Sequence, residues 1–101
     1  IGHSAFSSCT SLTNITIPDS VTSIGDAAFE YCTSLTNITI PDSVTSIGGL
    51  AFYGCNSLTE IVIPDSVTEI EEMAFRYSDI KEVAVSKNTI VGEDAFECFP
   101  Y

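Results

Sequence analysis

Residues 9–25 read CTSLTNITIPDSVTSIG, and residues 32–48 repeat them letter for letter. A third copy from Cys55 diverges to CNSLTEIVIPDSVTEIE, and a fourth from Ser78 is worn down to SDIKEVAVSKNTIVG. Phe6, Phe29, Phe52 and Phe75 each follow an alanine at a spacing of 23, whereas Phe96 comes after only 21. The fourth copy has therefore lost two residues, one between Tyr77 and Ile80 and one between Val85 and Val91. Self-similarity at a period of about 20–50 residues implies stacked units, because a single unit of that size cannot bury its own apolar face.

The second copy shows the chemistry of the unit. Its apolar skeleton is Ile24, Ala28, Phe29, Cys32, Leu35, Ile38, Ile40 and Val44. The spacing Leu35-x-x-Ile38-x-Ile40 ends in period two, which predicts a short strand with Ile38 and Ile40 inward and Asn37 and Thr39 outward. Pro41 has no N–H for a ladder and stops that strand. Asp42 and Ser43 turn the chain, and residues 44–47 predict a second, shorter strand. Gly48 bends the chain again, and Ala51-Phe52-x-x-Cys55 has the spacing of one helical turn. Asp26, Glu72 and Glu93 share a column at the start of that turn, where a helix dipole favours acids.

The predicted fold is an α/β repeat: a right-handed solenoid with short parallel strands and short helical or 3-10 turns. The four main strands should lie about 4.8 Å apart in one parallel sheet. One domain is expected, with repeats at 1–23, 24–46, 47–69 and 70–90 and a partial fifth repeat or cap over 91–101. The chain opens at Ile1 in mid-pattern, which predicts a piece of a longer array. No leader opens it, so any signal peptide is expected outside these residues.

Charge narrows the function. Fourteen acids face three bases, for a net charge of −11. Such a surface repels phosphate, which argues against nucleic acid and against anionic membranes. No apolar run reaches the ~18 residues of a membrane span. Residues 1–59 hold four of the acids and no base, and residues 60–101 hold the other ten with Arg76, Lys81 and Lys87. Acids in such excess serve solubility, or meet a basic partner or cations.

Candidate chemistry is sparse. Cys9, Cys32 and Cys55 form one column and read as small buried hydrophobes. No C-x-x-C or paired histidine suggests zinc, and no metal or cofactor is expected. Cys98 is off that column. His3 is the sole histidine and sits in a column of surface residue types. No G-x-S-x-G, H-E-x-x-H or phosphate-binding glycine loop occurs, and no enzyme is expected. Asp19, Asp42 and Asp65 stack in a further column, which reads as turn-forming and leaves a calcium-binding module as a minor alternative. The candidate ligand face is the exposed side of the strands. Asn14, Asn37, Glu60 and Glu82 form one column of it and Thr16, Thr39, Val62 and Ala84 the next, flanked by Thr13, Thr36, Thr59 and Lys81. Solenoids use such extended faces for partners. On the opposite side, Tyr31, Tyr53 and Tyr77 are expected to be exposed.

The pattern L-x-x-I-x-I-P-x-x-V-x-x-I-G-x-x-A-F-x-x-C resembles the BspA-like class of leucine-rich repeats. Pro18, Pro41 and Pro64 follow the strand where the usual horseshoe carries Asn or Cys. The resemblance runs from Ile1-Gly2-x-x-Ala5-Phe6-x-x-Cys9 to Val91-Gly92-x-x-Ala95-Phe96. It implies a non-catalytic, protein-binding segment of an extracellular or cell-surface adhesin, with a host matrix or plasma protein as partner. A spacer array without its own ligand is the chief alternative, and a carbohydrate- or calcium-binding module a lesser one.

Overall fold

The computed structural model describes residues 1–81 and 83–96. The chain winds as successive coils that share one apolar interior. Each coil contributes short strands: β1 (Asn14–Thr16), β2 (Ser23–Ile24), β3 (Asn37–Thr39), β4 (Ser46–Ile47), β5 (Glu69–Ile70) and β6 (Ile90–Val91). All pairings are parallel. Asn14 lies beside Asn37, and Ser23 beside Ser46 beside Glu69, at the sequence period. The register then shortens, with Glu69 beside Ile90 and Ile70 beside Val91, where the spacing of Phe96 places the lost residues.

The sheet differs from the expected one. The Leu-x-x-Ile-x-Ile segments do not make four paired strands. Among the described residues only β1 and β3 pair there, and the four-stranded sheet is the minor one, in the order β2-β4-β5-β6. Close approach explains this. The minor strands run into the glycine corner, where a Cβ on Gly48 would lie 2.7 Å from both the Asp26 nitrogen and the Gly25 carbonyl carbon. Coils nearly touch at that corner, whereas on the other strand face the described residues pair only from β1 to β3.

The expected helical turn is also absent among the described residues. Each of the first four Ala-Phe segments is a run of turns carrying two residues in the left-handed region. Ala27 and Tyr31 have φ of 57° and 60°, Leu50 and Gly54 61° and 76°, and Met73 and Tyr77 60° and 64°. Alternate amides therefore face opposite ways. Those of Ala28, Glu30 and Cys32 close turns onto Gly25, Ala27 and Phe29 within the coil, while those of Ala27, Phe29 and Tyr31 donate to Gly49, Ala51 and Tyr53 of the next coil. Left-handed backbone costs about 1–2 kcal/mol at each non-glycine residue. The intercoil ladder that it creates offsets this. Asp26 consequently caps no helix; its Oδ1 accepts the Gly49 N–H at 3.0 Å.

Phenylalanine fills the interior in an unbroken stack. Phe6, Phe29, Phe52, Phe75 and Phe96 follow one another with ring centroids 4.9–5.2 Å apart and planes within 6°. Phe29, Phe52 and Phe75 are 0 % exposed, as are Leu35, Val44, Ile47 and Leu58. Cys32 and Cys55 are buried as expected and Cys9 is half-buried. The Cys32 and Cys55 thiols donate to the carbonyls of Phe6 and Phe29, both at 3.1 Å. Burial pushes the Cys55 thiol up to about 12 and raises that of Cys32, so neither presents a thiolate at neutral pH. Ser78 takes the column in the fourth coil. It is buried, and its hydroxyl donates to Phe75 of its own coil at 2.7 Å.

Two departures from the repeat lie next to each other. Glu71 stands in the column of Gly2, Gly25, Gly48 and Gly92. The preceding coil holds Gly49 in the column that elsewhere carries His3, Asp26, Glu72 and Glu93. A Cβ on Gly49 would lie 3.2 Å from the Glu72 carbonyl oxygen and in ordinary contact, 4.0 Å, with the Glu71 Cβ. Burial, then the charges of Asp26 and Glu69, raise the Glu71 carboxyl above its ordinary range. The folded chain thus holds this proton more tightly than the unfolded chain does. Stability from the site is full below the unfolded carboxyl pKa and is lost as pH rises through the raised one. Glu71→Gln is expected to melt higher than the parent at neutral pH. Thermal melts in acid should show the gap closing.

Candidate binding face

The strand face divides its polar side chains into two groups. The first group holds coils together. Thr36 donates to Thr13, Thr45 to Thr22 and Thr68 to Thr45, each hydroxyl at 3.2 Å from the carbonyl of the preceding coil. Ser43, Ser66 and Thr89 donate likewise to Val21, Val44 and Val67 at 2.6–2.7 Å, and Ser57 to Thr33 at 2.7 Å. The serines of the second and third Asp-Ser turns, Ser43 and Ser66, are therefore intercoil staples. The flanking column expected to border the ligand face is partly engaged in the same way, through Thr36. Lys81 in that column lies 3.0 Å from Asp79.

The second group points away from the chain. Asn14, Thr16, Asn37, Thr39, Glu60 and Val62 are all exposed, and among the described residues no side-chain hydrogen bond or ion pair engages the five polar ones. Val62 is 80 % exposed. Parallel pairing aligns Asn14 with Asn37 and Thr16 with Thr39, so the structure brings those four together as two short columns. Glu60 and Val62 continue the columns on an unpaired segment. Glu82 lies outside the described residues, as do Cys98 and the Phe99-Pro100-Tyr101 end.

The face opens progressively along the solenoid. A shallow cleft of about 150 Å³ lies over β1 and β3. The next, between β3 and residues 60–64, holds about 270 Å³. The third, between residues 61–65 on one side and Lys81 and residues 83–86 on the other, holds about 850 Å³. Along one column Thr16 and Thr39 give way to Val62 and then Ala84, while along the other Asn14 and Asn37 give way to Glu60.

On the turn side Tyr31, Tyr53 and Tyr77 form an edge-to-face ladder with centroids 5.6 and 5.3 Å apart. Tyr31 is 46 % exposed, and the other two are half-buried, less open than expected. Burial and then the neighbouring Tyr31 and Tyr77 raise the Tyr53 hydroxyl. Arg76 covers Tyr77 with its guanidinium 4.9 Å from the ring centroid and approaches Asp94 at 3.8 Å. Sequence spacing missed this ladder's geometry, because Tyr53 is one residue out of column; Gly54 holds the column position, directly under the Tyr31 ring. His3 is exposed, as expected. No helix among the described residues is long and apolar enough to cross a membrane.

Comparison with known proteins places this geometry. A search of curated proteins gave no match. The crystal structure of a leucine-rich repeat protein from Bacteroides ovatus superposes with a TM-score of 0.91 at 41 % identity, over 95 % of this chain and 25 % of that one. The chain thus spans about a quarter of the length of that protein. The family model of the BspA-type leucine-rich repeat region, in six copies, matches residues 1–100. With the intercoil ladders and the phenylalanine stack in place, the chain belongs to the BspA-type leucine-rich repeat family.

Proposed function

We propose that this chain is a non-catalytic protein-binding segment of a larger adhesin-type protein, acting at the cell surface or after secretion. Binding uses the strand face, without a cofactor, and the partner is a protein of the host matrix or plasma. Leucine-rich repeat families supply interaction and repeat modules, which supports the broad class. The finer reading rests on one observation. Seven surface hydroxyls are engaged as intercoil staples, while Asn14, Thr16, Asn37, Thr39 and Glu60 beside them make no such bond. Polar groups already held rigidly by the sheet and lacking internal partners lose little freedom when they bind. Glu82 belongs to the same proposed face.

The test is replacement of Asn14, Asn37 and Glu60 together by alanine, followed by surface plasmon resonance over immobilised matrix and plasma proteins. The expected result is a loss of affinity of about tenfold or more with an unchanged melting temperature. Binding equal to that of the parent would mark these coils as a spacer.

A further inference from the structure

The tyrosine ladder on the turn side ends at Tyr31. Its column runs Ser8, Tyr31, Gly54, Tyr77, and the column before it Ser7, Glu30, Tyr53, Arg76. All four residues of the first column lie in the left-handed region, with φ of 60° at Tyr31, 76° at Gly54 and 64° at Tyr77. Glycine is the unstrained choice there, so each tyrosine stands at a cost that its side-chain contacts have to offset. Tyr77 has the edge of Tyr53 at 5.3 Å and the Arg76 guanidinium at 4.9 Å from its ring centroid. Tyr31 has Tyr53 at 5.6 Å and stays 46 % exposed.

Glu30 stands where the fourth coil has Arg76. The backbone is alike at both positions: the Glu30 and Arg76 amides each donate to the carbonyl three residues earlier, Ala27 or Met73, at 3.2 Å. A cation over an aromatic ring is drawn to the negative charge of its face, and a carboxylate in the same position gains nothing from that face. The Glu30 carboxylate makes no ion pair among the described residues. Residues 1–59 contain no base, and Arg76 is engaged by Tyr77 and Asp94. In the first coil only Ser7 and Ser8 occupy the two columns, so no aromatic ring continues the ladder there. A cation that completes the Tyr31 rung therefore comes from another molecule.

We propose that Tyr31 and Glu30 receive an arginine side chain of a partner protein, its guanidinium stacked on the ring and its N–H groups turned to the carboxylate. The Arg76–Tyr77 pair of the fourth coil is the template, with the cation supplied from outside and Glu30 in place of the internal base. Arginine suits the site better than lysine, because a planar guanidinium stacks on a ring and forks to a carboxylate at once. The net charge of −11 draws such a partner in. This contact lies on the turn side and stands whether or not the strand face binds.

The probe is a blocked glycine–arginine–glycine peptide, titrated into the isotope-labelled full chain at low salt and followed by backbone amide shifts. Saturable shifts centred on Glu30, Tyr31 and Cys32 are expected, weakening as salt is added. The same peptide with citrulline keeps the shape of arginine without its charge, and should bind about threefold more weakly or worse. Tyr31→Gly copies the third coil, and Glu30→Arg copies the fourth and fills the site from within. Each variant should lose about threefold or more, and either decides alone if the other fails to fold. The proposal is overturned if the arginine peptide does not saturate at these amides, or if the citrulline peptide or a folded variant loses less than that. Equal shifts at Asp42 and Asp65 would also overturn it, since they would mean attraction to acids in general.

Discussion

Phe52→Ala should lower the free energy of unfolding by about 3–5 kcal/mol, the usual range for removing a fully buried phenylalanine. Its ring has a stacked neighbour on each side, at 5.2 and 4.9 Å. Truncation therefore opens a gap between two coils rather than at one end. Aromatic pairs add about 0.5–1.5 kcal/mol each beyond area burial, which places this site toward the top of the range. Phe6→Ala should cost less, because Phe6 is half-buried and stacks on Phe29 alone. Urea melts of both variants check the order. Equal losses would mean that the stack does not carry stability from coil to coil.

The second large effect is expected at the glycine corner. Gly48→Ala places a methyl group 2.6 Å from the Asp26 Oδ1 and 2.7 Å from the Asp26 nitrogen and the Gly25 carbonyl carbon. Two of those three atoms are backbone and cannot swing aside. Overpacking of this kind costs about 1–3 kcal/mol or more, and the upper end is expected because two coils must separate. Gly2→Ala is the internal control. It occupies the same column, and nothing lies within 4 Å of its added Cβ, so its effect should stay within about 0.5 kcal/mol. A Gly48 variant as stable as the Gly2 variant would show that the coils do not approach as described.

Much of this fold was legible because repetition makes the sequence its own alignment. The phenylalanine column, the buried cysteines and the two lost residues follow from counting, and each has a direct counterpart in the stack and in the shortened β5–β6 register. The turn chemistry was not legible. Ala-Phe-x-x-Cys has the spacing of a helical turn, and only the left-handed residues at Ala27 and Tyr31 reverse alternate amides toward the next coil. Neither position carries a glycine or asparagine to announce it; tertiary hydrogen bonds override local preference there. Sheet choice was hidden for a related reason. Ser46-Ile47 looks a weaker strand than Asn37-Ile38-Thr39, but it ends at the glycine corner that lets backbones meet. Within the binding face, Thr36 and Thr39 are the same residue type three positions apart. One hydroxyl reaches the carbonyl of the preceding coil and the other does not, a distinction that residue type does not carry.

Amide hydrogen exchange tests the shared interior most directly, since alternate amides in each turn depend on different partners. The Cys32 and Cys55 amides bond inside their own coil, while those of Phe29 and Phe52 bond to the coil that follows. A continuous solenoid protects both sets to a common free energy of opening. Rapid exchange at Phe29 and Phe52 beside slow exchange at Cys32 and Cys55 would mean that each coil stands by itself.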